Sequence, residues 1–304
     1  MSAKAKKQRV GLIRDIRNNP VSYLMMAPYL LLFLIFIIIP VGISIVLSFT
    51  YYNIIQPPRF VGWENYRKLF FDDNVFMISV KNTLVFSIIT GPISYFACLL
   101  FAWLLNDLPP KLRSVMTLLL YVPSLSGNVL YIWKYIFSGD AYGLINGWLL
   151  KLGFIDTPLL WLKDPNMMLG VIIFIQIWMS LGTSFLAFIA GLQSIDRSHY
   201  ESGAIDGIRN RWQELWYITL PEMKPQLLFG AVLQIAATFA VSDICANLAG
   251  NPSPLYAAHT VTLHMMDYGT TRYEMGYALA IAVVLFLFTI LVTKVVMRLL
   301  REKD

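Results

Sequence analysis

Charged residues are scarce in this sequence, and their scarcity excludes most classes of soluble protein. Asp, Glu, Lys and Arg make up 14% of the 304 residues, whereas hydrophobic residues make up 57%. The net charge of +6 could indicate nucleic-acid binding, but the Lys and Arg residues lie in tails and in loops between apolar runs. No basic stripe with interleaved aromatic residues is present, so no nucleic-acid partner is expected. The composition favours a protein that crosses a membrane several times and is surrounded by membrane lipid.

Residues that could bind metals or act as nucleophiles are also few. The two cysteines, Cys98 and Cys245, lie in apolar runs without CxxC spacing and are predicted to be packing residues. The three histidines, His199, His259 and His264, form no ligand pattern such as HExxH. They are predicted to be polar residues of loops or segment ends, and no metal site is expected. A membrane-bound enzyme would need a cluster of His, Asp or Glu near one membrane face, and the sequence contains none.

Long apolar runs predict an all-α polytopic membrane protein with six transmembrane helices. Helices are expected because a backbone in lipid must satisfy its own hydrogen bonds, and the runs are too continuously apolar for barrel strands. Prolines inside the runs, at Pro28, Pro40, Pro92 and Pro123, predict kinks or locally unwound turns. The predicted spans cover about 22–49, 80–105, 114–136, 167–192, 225–247 and 276–298.

The distribution of positive charge predicts the orientation of these spans. Residues 1–21 form a basic tail, and residues 22–304 are predicted to form a single six-helix domain. With the N-terminus inside, the inner segments contain sixteen Lys and Arg residues and the outer segments contain six. Cytoplasmic loops carry the excess of Lys and Arg, so both termini and residues 193–224 are predicted to be cytoplasmic. The first apolar run is too long for a signal peptide and is interpreted as an uncleaved span.

One polar stretch, YESGAIDGIRNRWQELWYITLP at 200–221, interrupts the apolar pattern. Its apolar residues recur at steps of three and four, which predicts one helical face. Gly207 allows a turn between two short helices, and Pro221 suits the first turn of the next helix. A helix-turn-helix at the cytoplasmic surface could lie in the headgroups or dock a cytoplasmic partner. The residues of the predicted apolar face are Ile205, Ile208, Trp212, Leu215 and Trp216.

The same stretch resembles the EAA loop of the permeases of binding-protein-dependent ABC importers, approximately E-A-A-x3-G-x9-I-x-L-P. The chain has ESG in place of EAA, and ten residues rather than nine separate Gly207 from Ile218. FVGWENYRKLF at 60–70, NTLVFS at 82–87, AGLQSID at 190–196 and GYALAIAVVL at 277–286 extend the likeness to the carbohydrate branch, the relatives of the maltose transporter's larger permease. The residues that the resemblance assigns to ATPase coupling are Glu201, Ser202, Gly203, Asp206, Gly207, Ile218, Leu220 and Pro221.

The resemblance implies a type I ABC importer permease fold and a set of partners. The loop would sit in a cleft of a cytoplasmic ATPase, which must be a separate polypeptide because this chain has no GxxxxGK[ST] phosphate-binding loop. ATP and Mg would be bound by two ATP-binding cassette subunits, with a second homologous permease and an extracytoplasmic solute-binding protein completing the complex. The expected substrate is a sugar or oligosaccharide and the expected location is the bacterial cytoplasmic (inner) membrane. The alternative is an ion-coupled secondary transporter, which typically has repeated halves, broken spans and intramembrane charges.

Polar residues inside the spans are candidates for the substrate path because they are costly in lipid and usually face a cavity or another helix. Asp243 is the clearest case, and the resemblance places an Asp at this position in the family after F-x-x-F. Interhelical hydrogen bonding, kink repair and interfacial anchoring by tryptophan remain alternatives. The candidates are Asn128, Tyr131 and Trp133 in the third span, Gln176, Trp178, Ser180 and Thr183 in the fourth, and Gln234, Asp243 and Asn247 in the fifth.

Overall fold

Long helices dominate the computed structural model, which describes residues 20–300. The basic tail predicted at 1–21 therefore lies almost entirely outside the described residues. Within 20–300, five helical stretches are long and apolar enough to cross a membrane, and a sharply bent pair makes a sixth if it is one span. The all-α prediction is confirmed. The five stretches are α1 (Pro20–Leu47), α3 (Asn74–Asn106), α7 with α8 (Pro165–Ser194), α12 with α13 (Lys224–Ala249) and α15 (Met275–Leu300).

The third predicted span is not one straight helix. It consists of α4 (Pro110–Leu125) and α5 (Val129–Ile136), which are bent by 80° at the break between them. Pro123 lies in the last turn before this break, so the disruption predicted there is confirmed. Pro40 follows a π-helical turn, whereas the α-helix continues without interruption through Pro28 and Pro92.

Two further spans are broken where the sequence contains no proline. In the fourth, α7 (Pro165–Met179) ends just before Gly182, and α8 (Thr183–Ser194) follows it. In the fifth, α12 (Lys224–Phe239) and α13 (Asp243–Ala249) are separated by residues 240–242. The third, fourth and fifth spans are therefore each made of two shorter helices, whereas α3 runs unbroken for 33 residues.

A small hairpin closes one end of the bundle, and we call this the hairpin end. Strands β1 (Thr50–Tyr51) and β2 (Arg59–Phe60) pair in antiparallel fashion, an element absent from the all-helical prediction. Helix α2 (Glu64–Arg67) and a π-helical turn (Lys68–Asp72) lead from it into α3. The hairpin is fixed to α15, because the Gly276 N–H donates to the Tyr52 carbonyl at 3.0 Å. A Cβ at Gly276 would collide with the Thr50 carbonyl oxygen, so this contact requires glycine.

The remaining described elements are short. Helix α6 (Leu144–Lys151) lies between the third and fourth spans, and α14 (Val261–Met266) continues as a π-helical turn (Asp267–Thr271) before α15. At the opposite end of the bundle from the hairpin, which we call the loop end, lie α9 (Arg197–Ile205), α10 (Arg211–Glu214) and α11 (Leu220–Glu222).

The core is organised around α3. This helix packs against α7, α8, α12 and α14, whereas α1 has no buried residue in its three helical segments. Cys98 and Cys245 are free thiols within buried hydrophobic clusters, which confirms that they are packing residues.

Candidate functional site

The polar stretch predicted to be a helix-turn-helix folds as one. Asp196 caps the N-terminus of helix α9, and its side chain accepts a hydrogen bond from the Ser198 N–H at 3.0 Å. The helix ends at Ile205 and is followed by a left-handed residue, Gly207, with φ of +97°, while the Ile208 N–H donates to the Gly203 carbonyl at 2.9 Å. Such a left-handed position after a helix favours glycine. The turn predicted at Gly207 is confirmed, and Asn210 caps the following helix α10.

The second helix is longer than the sequence indicates. Helices α10 and α11 are joined by a π-helical turn (Leu215–Thr219), and α12 follows with only Met223 between them. Pro221 thus lies in α11 rather than in the first turn of α12, where Pro225 lies instead. The prediction that Pro221 lies in the first turn of a helix is confirmed for α11, where it is the second residue. In the π-helical turn the hydrogen bonds join residues five apart instead of four, which makes this helix irregular between α10 and α11.

The two short helices touch at a glycine. A Cβ at Gly203 would lie 2.6 Å from the Ile218 Cδ1 atom and 3.0 Å from the Ile208 Cδ1 atom, so the end of the Ile218 side chain would have to move to admit a larger residue. The hydroxyls of Tyr200 and Thr219 are hydrogen-bonded at 3.0 Å and tie the same helices together. Gly203 of the ESG sequence therefore forms the joint between the helices.

The predicted single apolar face is not present, because the turn at Gly207 reorients the chain. Ile208 points back toward Gly203, whereas Ile205 is 87% exposed and Trp216 is 65% exposed. The segment therefore presents large apolar side chains at the surface instead of burying them on one stripe. Of the other residues assigned to coupling, Ile218 is buried and Leu220 is partly buried, while Glu201, Ser202, Asp206, Gly207 and Pro221 are exposed.

The helix breaks bring several candidate path residues together. Asp243 is the first residue of α13, and Asn247 lies one turn later, where its amide donates to the Asp243 carbonyl at 2.8 Å. Both side chains are exposed within the single chain, and α13 packs against α5 and α7. Asn128 and Tyr131 lie at the start of α5 and are also exposed. A carboxylate at a helix N-terminus is stabilised by the helix dipole, which favours Asp243 at the break.

The remaining path candidates occupy different surroundings. Trp178 stacks edge-on with Trp133, with ring centroids 5.2 Å apart. Thr183 is exposed at the first position of α8, and Gln176 and Ser180 are partly buried. Gln234 is buried, in the region where α12 faces α3.

A buried network at the hairpin end was missed in the sequence. The Asp73 Oδ2 atom accepts hydrogen bonds from the Tyr277 hydroxyl at 2.7 Å and from the His264 Nε2 atom at 2.9 Å. The His264 Nδ1 atom lies 3.3 Å from the His259 Nε2 atom. We call these four residues the Asp73 network. His259 lies in the loop before α14 and His264 lies in the last turn of α14, as predicted, but both are only 1% exposed, which the sequence did not indicate.

Burial and hydrogen bonding set the proton affinities in this network. Burial raises the pKa of Asp73, but hydrogen bonds from His264 and Tyr277 outweigh it and hold the pKa well below the usual range for Asp. Burial also lowers the pKa of His259 to about 4, with a further contribution from His264. Within residues 20–300, no group of three or more His, Cys, Asp or Glu side chains could hold a metal ion.

Comparison with known proteins gives a consistent result. Residues 110–303 match the family described as "Binding-protein-dependent transport system inner membrane component". A probable ABC transporter permease of Bacillus subtilis, YesP, is 32% identical over 290 residues, covering 94% of this chain and 92% of the relative. The sulfoquinovosyl glycerol transport system permease SmoG of Agrobacterium fabrum is 30% identical, covering 95% and 93%. A solved bacterial ABC transporter involved in the import of the acidic polysaccharide alginate is 25% identical, with a TM-score of 0.73 and coverage of 96% and 99%.

Proposed function

Since this chain belongs to the family of inner-membrane components of binding-protein-dependent transport systems, we propose that it carries a sugar or oligosaccharide as half of an ATP-driven importer. Its role as an ABC transporter permease and its multi-pass inner-membrane location follow from the family and from the apolar helices. The sugar substrate is supported by the relatives, one of which is named for sulfoquinovosyl glycerol and another for alginate import.

The observation that carries the proposed coupling role is the shape of residues 197–222, which we call the coupling segment. Two short helices meet at Gly203 and Ile218, and the surface of the segment exposes Ile205 and Trp216. A compact unit with exposed apolar side chains is suited to a protein cleft. We assign this contact to a separate ATPase and not to lipid headgroups. The two helices of the segment contact each other and do not form one continuous amphipathic face.

The proposed complex contains a second homologous permease, two ATP-binding cassette subunits and an extracytoplasmic solute-binding protein. ATP and Mg belong to the cassette subunits, and this permease is non-catalytic. The excess of Lys and Arg supports cytoplasmic termini and a cytoplasmic loop end, and the hairpin end would then lie outside. Closure of the ATPase dimer would then move the coupling segment as a rigid body and switch access to the path.

The proposed path passes the helix breaks of the third, fourth and fifth spans. Asp243, Asn247, Asn128 and Tyr131 offer carboxylate, amide and aromatic groups of the kind that bind sugar hydroxyls and ring faces, and all four are exposed within the single chain. Broken spans also occur in ion-coupled transporters, so the breaks alone do not separate the two classes. The family membership favours the ATP-driven importer.

The coupling role can be tested with Gly207→Pro in the complete complex, expressed with its genomic neighbours and reconstituted in proteoliposomes. Proline fixes φ near −65°, which is incompatible with the φ of +97° at Gly207. We expect sugar-stimulated ATP hydrolysis to disappear while the complex still inserts. Gly170→Ala is the control, because nothing lies within 4 Å of a Cβ at that position. If no ATPase associates with the wild-type chain and transport needs only an ion gradient, the importer proposal is wrong.

A further inference from the structure

A rigid corner at the loop end lies beside the coupling segment although it is far from it in sequence. Helix α3 ends at Asn106 and α4 begins at Pro110. Pro109 and Pro110 restrict the backbone of this turn. The Arg113 guanidinium donates to the Asn106 carbonyl at 3.2 Å and closes the corner. A displacement of the corner must therefore move α3 and α4 together.

Four side chains connect this corner to the coupling segment. Arg211 forms an ion pair with Asp107, and its guanidinium carbon lies 4.6 Å from the centre of the Trp103 ring. The rings of Trp103 and Trp212 are 5.1 Å apart. Trp103 is 9% exposed and belongs to the same buried cluster as Cys98 and Phe185. We call Trp103, Asp107, Arg211 and Trp212 the Trp103 clamp.

We propose that the Trp103 clamp is a second mechanical attachment of the coupling segment, with Arg211 and Asp107 as positioning residues that make α3 follow its movement. This inference rests on the proposed coupling function. Along the chain, the segment follows α8 and leads into α12, and both of these helices belong to broken spans. A bend at a break can absorb a displacement, whereas an unbroken helix carries it from one end to the other.

The attachment affects other spans because of the position of α3. Helix α3 packs against α7, α8, α12 and α14, so it contacts the broken fourth and fifth spans. Its other end is capped by Asp73, whose side chain accepts a hydrogen bond from the Phe76 N–H at 2.9 Å and is also hydrogen-bonded to His264 and Tyr277. The clamp thus links the coupling segment to the hairpin end through a single helix.

The clamp can be tested without removing the core, because its ion pair is about half exposed on both sides. An exposed ion pair contributes little to stability, so reversing one charge should leave the fold intact. The variants are Asp107→Arg, Arg211→Asp and the double exchange, each in the full complex in proteoliposomes. The measurements are the amount of copurified ATPase, the rate of ATP hydrolysis and the number of sugar molecules transported per ATP.

We expect each single reversal to retain the ATPase while transport per ATP falls by about fivefold or more. The double exchange should restore most of the loss, since it recreates an ion pair of opposite polarity. Glu274→Lys is the matched control, because Glu274 forms an ion pair of similar exposure with Lys68 at the hairpin end and lies outside the coupling segment. Its transport per ATP should equal that of the wild type.

Two results would overturn the clamp. Unchanged transport per ATP in both single reversals would show that α3 does not depend on the ion pair, and a double exchange as poor as the single reversals would show that the pair itself is not the connection. Either result would leave the proposed function standing if Gly207→Pro still abolished stimulation. Failure of the ATPase to copurify with the wild-type chain would instead remove the proposed function.

Discussion

The two ends of α3 are attached to their surroundings in different ways. At the hairpin end, Asp73 and His264 form a hydrogen-bonded pair whose side chains are 6% and 1% exposed. At the loop end, Asp107 and Arg211 form an ion pair whose side chains are 51% and 45% exposed. Breaking a buried pair costs about 3–5 kcal/mol, whereas an exposed pair contributes about 0.2–1 kcal/mol. The hairpin end is therefore built to stay fixed, and the loop end is built from contacts that can rearrange at little cost.

The largest effect should come from Asp73→Ala. This change leaves the buried His264 and Tyr277 without their shared acceptor, and we expect a loss of about 3–5 kcal/mol in the free energy of unfolding. Thermal unfolding in detergent measures it. The neighbouring Asp72→Ala is the control, because the exposed Asp72 side chain has no hydrogen bond or ion pair with residues 20–300. Equal melting temperatures for Asp73→Ala and Asp72→Ala would show that the buried Asp73 pair adds no stability, and the expected difference between the two ends of α3 would be wrong.

The next effect is a pH dependence at the hairpin end. The folded pKa of His259, about 4, is below the unfolded value of about 6.5, so the unfolded chain binds the additional proton between these values. Stability should consequently decrease as the pH falls through this window, by about 1–2 kcal/mol between pH 6.5 and pH 5. His259→Asn should flatten the dependence of melting temperature on pH, and the exposed His199→Asn should not. Parallel curves for the wild type and His259→Asn would contradict the expectation.

Asp73 titrates in a lower window and adds little to this dependence. Its folded pKa is depressed, so its contribution is present above the unfolded value near 3.9 and is lost as the pH falls further. The two windows can be separated by stopping the titration at pH 5.

The smallest effect on stability should come from Asp107→Ala at the loop end. Since the ion pair is half exposed, we expect less than about 1 kcal/mol of destabilisation. The same melting measurement as for Asp73→Ala provides a direct comparison. A loss as large as that of Asp73→Ala would mean that the loop end is as fixed as the hairpin end, and that the clamp is a structural contact only.

Local patterns in the sequence predicted the features that depend on neighbouring residues. Apolar runs predicted the helices, and Gly207 predicted the turn of the coupling segment, because hydropathy and glycine conformation are local properties. Pro123 predicted the break in the third span. The breaks at 180–182 and 240–242 contain no proline, so the proline positions did not predict them.

Long-range contacts could not be predicted from one sequence. Asp73 is separated from His264 by 191 residues and from Tyr277 by 204, so no spacing rule connects them. The sequence consequently did not show that His259 and His264 are buried. The pairing of Asp107 with Arg211 could not be predicted either, because the two residues are far apart in sequence and each resembles an ordinary polar residue beside a span.

The length of α3 also determines how the protein meets membranes of different thickness. Thirty-three residues extend about 50 Å at 1.5 Å per residue, whereas the hydrocarbon layer is about 30 Å thick. An upright α3 therefore projects beyond the acyl chains by about 20 Å in total, and both of its attachment points lie at headgroup level or beyond. The hydrocarbon layer around α3 can therefore become thinner or thicker without its boundary reaching either attachment point. The adjustment to acyl-chain length falls instead on the shorter helices, which can tilt at their breaks.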